Sequence, residues 1–129
     1  MKKVIYLLCL CLYLPFSAMG NEDGYVDIDG VKHYYKMIGS GEPILVLHGG
    51  PGMSHDYLLP HLEPLAEDFK LIFYDQRGNG NSEVRLSEDS FTIAKLVADL
   101  EGLRKAFGIK KLNILGHSWG GLLALYYSL

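Results

Sequence analysis

The sequence predicts an α/β protein in which a β-hairpin leads into a mainly parallel sheet with helices on its faces. Two segments of alternating hydrophobicity flank Asp29-Gly30, a pair typical of the tight turn of a hairpin. Three later segments are apolar throughout, as expected for strands that are buried on both faces. Helical patterns follow each of these strands, and a repeated strand–helix order favours a parallel sheet.

The predicted strands are short and are bounded by turn residues. In chain order they comprise residues 25–28, 31–37, 44–47, 71–74 and 112–115. A helical segment at 55–69 separates the first two buried strands. It contains Pro60 and Pro64, which should break or kink it.

The clearest helical pattern lies between the second and third buried strands. Apolar residues recur there at helical spacing from Phe91 to Phe107. Ser90 or Thr92 can cap this helix at its start, and Gly108 suits its end. A last helix is predicted after the final strand, which completes the strand–helix alternation.

Residues 1–20 are predicted to form a secretory signal peptide. A basic start precedes a 13-residue apolar run at 4–16, which is shorter than the ~20 residues that span a bilayer. A small-x-small pattern at 18–20 predicts cleavage before Asn21. The domain would then comprise residues 21–129 of an exported protein, periplasmic or secreted, with no stable membrane span after cleavage. An uncleaved anchor or a buried helix is the alternative.

Composition excludes several kinds of site after residue 20. Both cysteines, Cys9 and Cys11, lie in the predicted signal peptide, so the rest has no disulfide and no thiolate metal site. The formal net charge is −3 at pH 7 and becomes more negative without Lys2 and Lys3. An acidic domain argues against a surface that binds nucleic acid.

The motif that follows the third buried strand carries the strongest chemical signal. Gly116-His117-Ser118-Trp119-Gly120-Gly121 places Gly-x-Ser-x-Gly between a strand and a helix. Such a turn is strained, so small residues such as Gly116 and Gly120 must flank the serine. The turn lifts the hydroxyl clear of the sheet, and Ser118 is therefore a candidate nucleophile.

A glycine-rich loop, His48-Gly49-Gly50-Pro51-Gly52, follows the first buried strand. Glycines there let backbone N–H groups approach a ligand closely. With the serine turn downstream, we interpret this loop as half of an oxyanion hole, whose other donor is the N–H of Trp119. A phosphate-binding turn is the alternative, but the loop lacks the Lys-Ser/Thr of a P-loop and the spacing of a dinucleotide loop.

A third motif, Asp75-Gln76-Arg77-Gly78-Asn79-Gly80-Asn81-Ser82, follows the second buried strand. Its charged residues Asp75 and Arg77 lie at the edge of the sheet where sites form. We interpret them as structural, a charge pair and turn residues that fix loops beneath the site, with a catalytic carboxylate as the alternative. His48 also fits a structural role better than that of a base, since a base must reach Ser118.

In this order and spacing, the three motifs resemble those of an α/β-hydrolase. They are similar in particular to the proline iminopeptidase (prolyl aminopeptidase) family, and the resemblance covers residues 24–129. It implies the N-terminal portion of an α/β-hydrolase fold, with Ser118 as the nucleophile and Gly50 and Trp119 as the oxyanion-hole donors. The residues expected to shape the site without reacting are His48, Gly49, Pro51, Gly52, Asp75, Arg77, Gly116 and Gly120.

The catalytic acid and histidine of this fold come after the serine in the chain. No Asp, Glu or His lies between Ser118 and Leu129, so we expect an incomplete triad and no activity from this stretch alone. We also expect an exposed edge on the strand at 111–115. His117 stands where the family usually has glycine, and we assign it no chemistry. The histidines expected to be solvated or to serve packing are His33, His55 and His61.

The complete enzyme implied by the resemblance is a serine hydrolase that releases N-terminal proline from peptides through an acyl-enzyme. It would act on a small peptide or ester and would need no metal and no organic cofactor. Two alternatives stay open: another α/β-hydrolase that cleaves esters or amides, and a non-catalytic truncated remnant or interaction module. A serine nucleophile disfavours epoxide hydrolases and dehalogenases, which use a carboxylate at that position.

Overall fold

A computed structural model describes residues 20–84 and 91–129. Ser90, one of the two predicted caps, and residues 1–19 of the predicted signal peptide lie outside these ranges. The signal peptide and the export that it implies therefore stay predictions, which N-terminal sequencing of the mature protein would test. No helix within the described ranges is long and apolar enough to cross a membrane.

The sheet confirms the predicted α/β class. Its strands are β1 (Glu22–Ile28), β2 (Val31–Ile38), β3 (Glu42–Leu47), β4 (Phe69–Tyr74) and β5 (Asn113–Gly116). Their order across the sheet is β1-β2-β4-β3-β5. β1 and β2 form the predicted hairpin, and β2 runs antiparallel to β4. β3 lies parallel to both β4 and β5, so an antiparallel hairpin leads into a parallel part.

β3 and β4 begin earlier than their apolar segments predict. Glu42 is paired with Phe69 and Pro43 with Lys70 at the start of the two strands. Polar residues at the rim of a sheet give no apolar signal, although their backbones take part in the ladder. The hairpin turn, in contrast, falls at the predicted Asp29-Gly30, where φ is 52° and 74° as a type I′ turn requires.

The segment between β3 and β4 is broken, as its prolines predict. It consists of a 3₁₀ turn at His55–Tyr57, helix α1 at Leu59–Leu62 and a second 3₁₀ turn at Glu63–Glu67. Pro60 and Pro64 each stand in the first turn of a new element. At that position the missing proline N–H removes no helical hydrogen bond.

Two longer helices complete the fold. They are α2 (Ile93–Ala106) and α3 (Trp119–Ser128). Thr92 caps α2, because its hydroxyl accepts a hydrogen bond from the Lys95 N–H at 3.3 Å. Gly108 follows α2 with a φ of 65°, the left-handed conformation that ends many helices.

The central strands are buried on both faces, as their apolar sequences predict. The cluster that faces α2 and α3 includes Leu45, Leu47, Ile72, Tyr74, Leu100 and Leu123. The cluster on the opposite face includes Val46, Leu58, Ala66, Leu71 and Phe73. Helices and turns therefore hold the sheet from both sides, and the carboxyl ends of β3, β4 and β5 lie along one edge.

Candidate active site

The carboxyl ends of the parallel strands bring the three sequence motifs together. Leu47 at the end of β3 is paired with Tyr74 of β4 and with Gly116 of β5. The residues that follow these strand ends are His48, Asp75 and His117. The glycine-rich loop, the acidic motif and the serine turn therefore start at one level, at the edge where parallel sheets bind ligands.

Ser118 lies in a strained turn between β5 and α3. Its φ of 53° and ψ of −118° are unusual for a residue other than glycine, at a cost on the order of 1–3 kcal/mol. The turn is anchored because the His117 N–H donates to the Leu47 carbonyl at 3.0 Å and the Gly120 N–H donates to the His117 carbonyl at 2.9 Å. Ser118 is exposed, and its hydroxyl bonds to no group among residues 20–84 and 91–129.

Two glycines allow α3 to start against the strands. A Cβ on Gly120 would collide with the carbonyl oxygen of Leu47 and would lie 2.7 Å from that of His48. A Cβ on Gly116 would lie 2.5 Å from the carbonyl oxygen of Gly120. The small residues that flank the serine are therefore required by close contact between α3, β3 and β5.

The backbone of the glycine-rich loop leaves the Gly50 N–H unused. The Gly49 N–H donates to the Tyr57 hydroxyl at 2.7 Å, and the Gly52 N–H donates to Asn79 Oδ1 at 2.5 Å. Pro51 has no N–H. Within the described part of the chain, the Gly50 N–H has no acceptor, and neither has the Trp119 N–H. The two amides predicted to form an oxyanion hole are thus both unpaired among the described residues.

His48 holds this loop through both of its ring nitrogens. Its Nδ1 donates to the Gly49 carbonyl at 2.6 Å, and its Nε2 accepts from the Gln76 N–H at 3.0 Å. Burial lowers the pKa of His48 below its ordinary value, although the bond to Gly49 opposes this shift. A neutral, buried ring with both nitrogens engaged supports the structural role that we predicted for His48.

Gln76 connects the glycine-rich loop to the serine turn. Its side-chain amide donates to the His48 carbonyl at 2.8 Å, and its Oε1 accepts from Trp119 Nε1 at 3.0 Å. Sequence reasoning assigned Gln76 no role, although it lies between the two charged residues of the acidic motif. A buried side chain that bonds to both halves of the site positions them relative to each other.

Asp75 is buried and binds the chain on two sides. One carboxylate oxygen accepts from the His55 N–H at 2.9 Å and from His55 Nδ1 at 2.8 Å. The other accepts from the Asn81 N–H at 2.9 Å. Burial raises the pKa of Asp75, but these hydrogen bonds outweigh burial, so the pKa lies below its ordinary value. Of the two roles expected for His55, solvation or packing, the structure shows packing, since His55 is buried against this carboxylate.

Arg77 has its partner on α2 rather than in its own motif, which corrects the predicted charge pair. Its guanidinium binds both carboxylate oxygens of Asp99, at 2.7 Å and 2.5 Å. Burial raises the pKa of Asp99, but the bonds from Arg77 and the nearby ring of His33 lower it by more, so the pKa lies below its ordinary value. Asp99 stands three residues after Leu96, on the core face of α2. This helical spacing is the feature of the sequence that could have predicted a buried carboxylate there.

The remaining histidines divide between the core and the surface. His33 is fully buried, and its Nδ1 donates to the Val31 carbonyl at 3.0 Å. Its Nε2 lies 3.2 Å from Asp99 Oδ2 but has no hydrogen-bond partner among the described residues. His61 is exposed. Among residues 20–84 and 91–129, no group of three or more His, Cys, Asp or Glu side chains could hold a metal ion.

Comparison with known proteins identifies the class to which this fold and site belong. Residues 42–129 match the family model described as the alpha/beta hydrolase fold. The chain therefore belongs to the α/β-hydrolase family, as the motifs predicted.

Within this family, the chain is similar to proline iminopeptidases. It is 44% identical over 112 residues to the proline iminopeptidase of Saccharolobus solfataricus. The matched segment covers 84% of this chain and 36% of that protein. The crystal structure of a proline iminopeptidase-related protein from Thermus thermophilus has a TM-score of 0.80 and 34% identity, over 85% of this chain and 40% of that one.

The fold is shared with enzymes of another activity. The crystal structure of epoxide hydrolase A from Mycobacterium thermoresistibile has a TM-score of 0.76 and 28% identity, over 85% of this chain and 35% of that one. The chain thus spans between 35% and 40% of the length of these proteins, and it matches the N-terminal part of their fold.

Proposed function

We propose that Ser118 is the nucleophile of a serine hydrolase, and that the complete protein releases N-terminal proline from peptides. One observation carries the proposal. An exposed serine hydroxyl lies on a strained strand-to-helix turn, at the same sheet edge as two N–H groups, of Gly50 and Trp119, that have no acceptor within the described ranges. This arrangement suits acyl transfer, which needs a nucleophile and donors for the developing oxyanion.

In the proposed reaction, the Ser118 oxygen attacks the carbonyl carbon of the N-terminal residue. Negative charge then develops on the carbonyl oxygen, and the two amides would stabilise it by roughly 3–4 kcal/mol each. The amine leaves with a proton, and water hydrolyses the acyl-enzyme that remains. The proton transfers require a base, and none follows Ser118 within these 129 residues.

Two histidines at this edge of the sheet, His48 and His55, are already engaged. His48 uses both ring nitrogens to hold the loop, and His55 Nδ1 is bonded to Asp75. In this fold the base and its acid follow the serine in the chain. We therefore propose that the 129 residues alone do not turn over substrate.

The names of the relatives support a peptide substrate, and the identity of residue 118 supports acyl transfer. A serine forms an ester with an acyl group, whereas the opening of an epoxide to an ester intermediate requires a carboxylate. This favours a peptidase over the activity of the epoxide hydrolases that share the fold. Hydrolysis of other esters or amides is the second candidate, because the same nucleophile and donors serve it.

The test compares the protein expressed from its complete gene with a polypeptide that ends at Leu129. Proline p-nitroanilide reports peptidase activity, and a p-nitrophenyl ester reports esterase activity. We expect the complete protein to prefer the anilide and to lose on the order of 10⁴- to 10⁶-fold in kcat on Ser118→Ala.

The 129-residue polypeptide should show no turnover that depends on Ser118. Such turnover would contradict its proposed inactivity. Full activity in the Ser118→Ala variant of the complete protein would exclude Ser118 as the nucleophile, and a preference for the ester would replace the peptidase with the second candidate.

A further inference from the structure

The hydroxyl of Tyr57 lies between the glycine-rich loop and the serine turn. It accepts a hydrogen bond from the Gly49 N–H at 2.7 Å, and it lies 2.7 Å from Nδ1 of His117. The Tyr57 and His117 rings also meet edge to face, with their centroids 5.5 Å apart. One side chain thus contacts the loop after β3 and the residue that precedes Ser118.

The direction of these hydrogen bonds follows from their chemistry. A backbone N–H can only donate, so the Tyr57 oxygen accepts from Gly49. The single hydroxyl proton of Tyr57 is then available to donate to Nδ1 of His117, which accepts it when the ring carries its own proton on Nε2. The chain of bonds runs from the loop, through Tyr57, to the serine turn.

Gly49 is held at both of its backbone polar groups. Tyr57 binds its N–H, and His48 Nδ1 binds its carbonyl oxygen at 2.6 Å. The peptide bond between Gly49 and Gly50 is trans, since among the described residues only the bond between Gly50 and Pro51 is cis. In a trans peptide the N–H points away from the carbonyl, so the Gly50 N–H points opposite to the Gly49 carbonyl. Fixing Gly49 therefore fixes the direction of the Gly50 N–H.

The space around Gly49 is narrow. A Cβ there would lie 3.0 Å from the Tyr57 hydroxyl, 3.2 Å from His117 Nδ1 and 3.3 Å from Ser118 Cβ. Three side chains converge on this one backbone position, and one of them is the proposed nucleophile. The distance between the Gly50 amide and Ser118 thus depends on the position in which Tyr57 and His117 hold the glycine-rich loop.

We propose that Tyr57, with His117 as its acceptor, is a positioning residue that aims the Gly50 N–H at the reacting carbonyl. The proposal rests on the proposed serine hydrolase activity. It gives a role to His117, to which the sequence alone assigned none. Because the Gly50 donor acts on the transition state, misplacing it should lower kcat and leave KM nearly unchanged.

The experiment uses the complete protein with four substitutions. Tyr57→Phe removes the hydroxyl, and Tyr126→Phe removes a hydroxyl from an exposed tyrosine on α3 as the matched control. His117→Ala removes the acceptor, whereas His117→Asn keeps a polar acceptor near the position of Nδ1. The measurements are kcat and KM on proline p-nitroanilide, and amide hydrogen exchange in the peptide that contains residues 48–52.

We expect Tyr57→Phe and His117→Ala to lower kcat by about 10- to 100-fold, the range for a donor displaced by about 1 Å. KM should stay within about two-fold of the wild type, since ground-state binding is unaffected. Exchange at 48–52 should become faster in both variants. His117→Asn should recover most of kcat, and Tyr126→Phe should match the wild type in every measurement.

Wild-type kcat in Tyr57→Phe would overturn the proposal, and so would a loss that appears in KM alone. A loss of kcat with unchanged exchange at 48–52 would also overturn it, because the loop would then not be held by Tyr57. A wild-type protein without activity would instead overturn the proposed function. In that case, unchanged exchange in Tyr57→Phe would overturn the positioning role, and faster exchange would support it.

Discussion

At the scale of single residues, the buried carboxylate of Asp75 supports the loops beneath the site. Its two oxygens accept from the backbone and ring of His55 and from the backbone of Asn81. A Cβ on Gly80 would collide with this carboxylate, so the loop is shaped around it. The role of Asp75 in the described residues is therefore to join two loops, and its partners leave little capacity for proton transfer.

This environment predicts how acid affects stability. The pKa of Asp75 is lower in the folded protein, so its stabilisation is present above the unfolded pKa of about 3.9 and is lost as pH falls through the lower folded pKa. Asp75→Asn should lower the free energy of unfolding at pH 7 and weaken the decline in acid. Urea denaturation at pH values from neutral to about 3 measures both effects.

Asp68→Asn provides the control, because Asp68 is exposed and lies at the end of a 3₁₀ turn. Its pH profile should follow that of the wild type. An Asp75→Asn profile that overlays the wild type, both at pH 7 and in acid, would contradict this account of Asp75.

At the scale of elements, the start of α3 is set by its contact with β3. Gly120 is buried, and its Cα faces the carbonyl oxygens of Leu47 and His48. The next residue, Gly121, is only partly buried, and a Cβ there would lie 3.3 Å from the Gly116 carbonyl oxygen. A methyl group at Gly120 would therefore disturb the packing of α3 on the strands more than a methyl group at the adjacent Gly121.

Alanine substitutions should separate these two positions. Gly120→Ala is expected to destabilise the protein by about 1–3 kcal/mol, because the methyl group forces α3 away from β3. Gly121→Ala should change stability by less, since its mild crowding is offset by a gain of about 1 kcal/mol in helix propensity. Denaturant unfolding of both variants tests this order, and an equal or larger loss for Gly121→Ala would refute it.

At the scale of the whole molecule, the edge formed by β5 and α3 is apolar and open. β5 pairs with β3 on one side only within the described residues. A groove of about 530 Å³ runs beside it, lined by apolar residues such as Ile114 and Ala124 and also by the cationic Arg104, Lys110 and Lys111. Leu122 and Leu125 are 44% and 64% exposed. An apolar patch next to a single-sided strand is a site for association with another chain or segment.

A polypeptide of residues 21–129 should therefore self-associate when expressed alone. Leu125→Lys, which places a charge at the centre of this edge, should shift it towards the monomer. Leu65→Lys introduces the same charge at an exposed leucine between β3 and β4 and should leave association unchanged. Light scattering coupled to size exclusion decides the matter, and a monomeric wild-type polypeptide would contradict the prediction.

Much of the fold could be predicted from the sequence because it depends on local preferences. Asp29-Gly30 adopts the positive φ values of the hairpin turn, and Thr92 caps α2. Two of the three apolar segments became central strands buried on both faces, β3 and β4, whereas the third became β5, an edge strand that is only partly buried. The strand bounds were less exact: β3 begins earlier than predicted, because a rim residue such as Glu42 joins the ladder through its backbone, and β5 covers Asn113–Gly116 instead of 112–115.

The motifs of the candidate site could be predicted from the sequence, but the hydrogen-bond partners of their side chains could not. The strained turn at Ser118 and the glycine-rich loop could be predicted from the sequence, because each depends on the backbone freedom of neighbouring residues. The side-chain partners, in contrast, follow from the packed fold: Asp75 binds His55, Arg77 binds Asp99, and Gln76 and Tyr57 connect the loop to the serine turn. These pairs join residues far apart in the chain, and their choice depends on which side chains the packed strands and helices bring within hydrogen-bond distance.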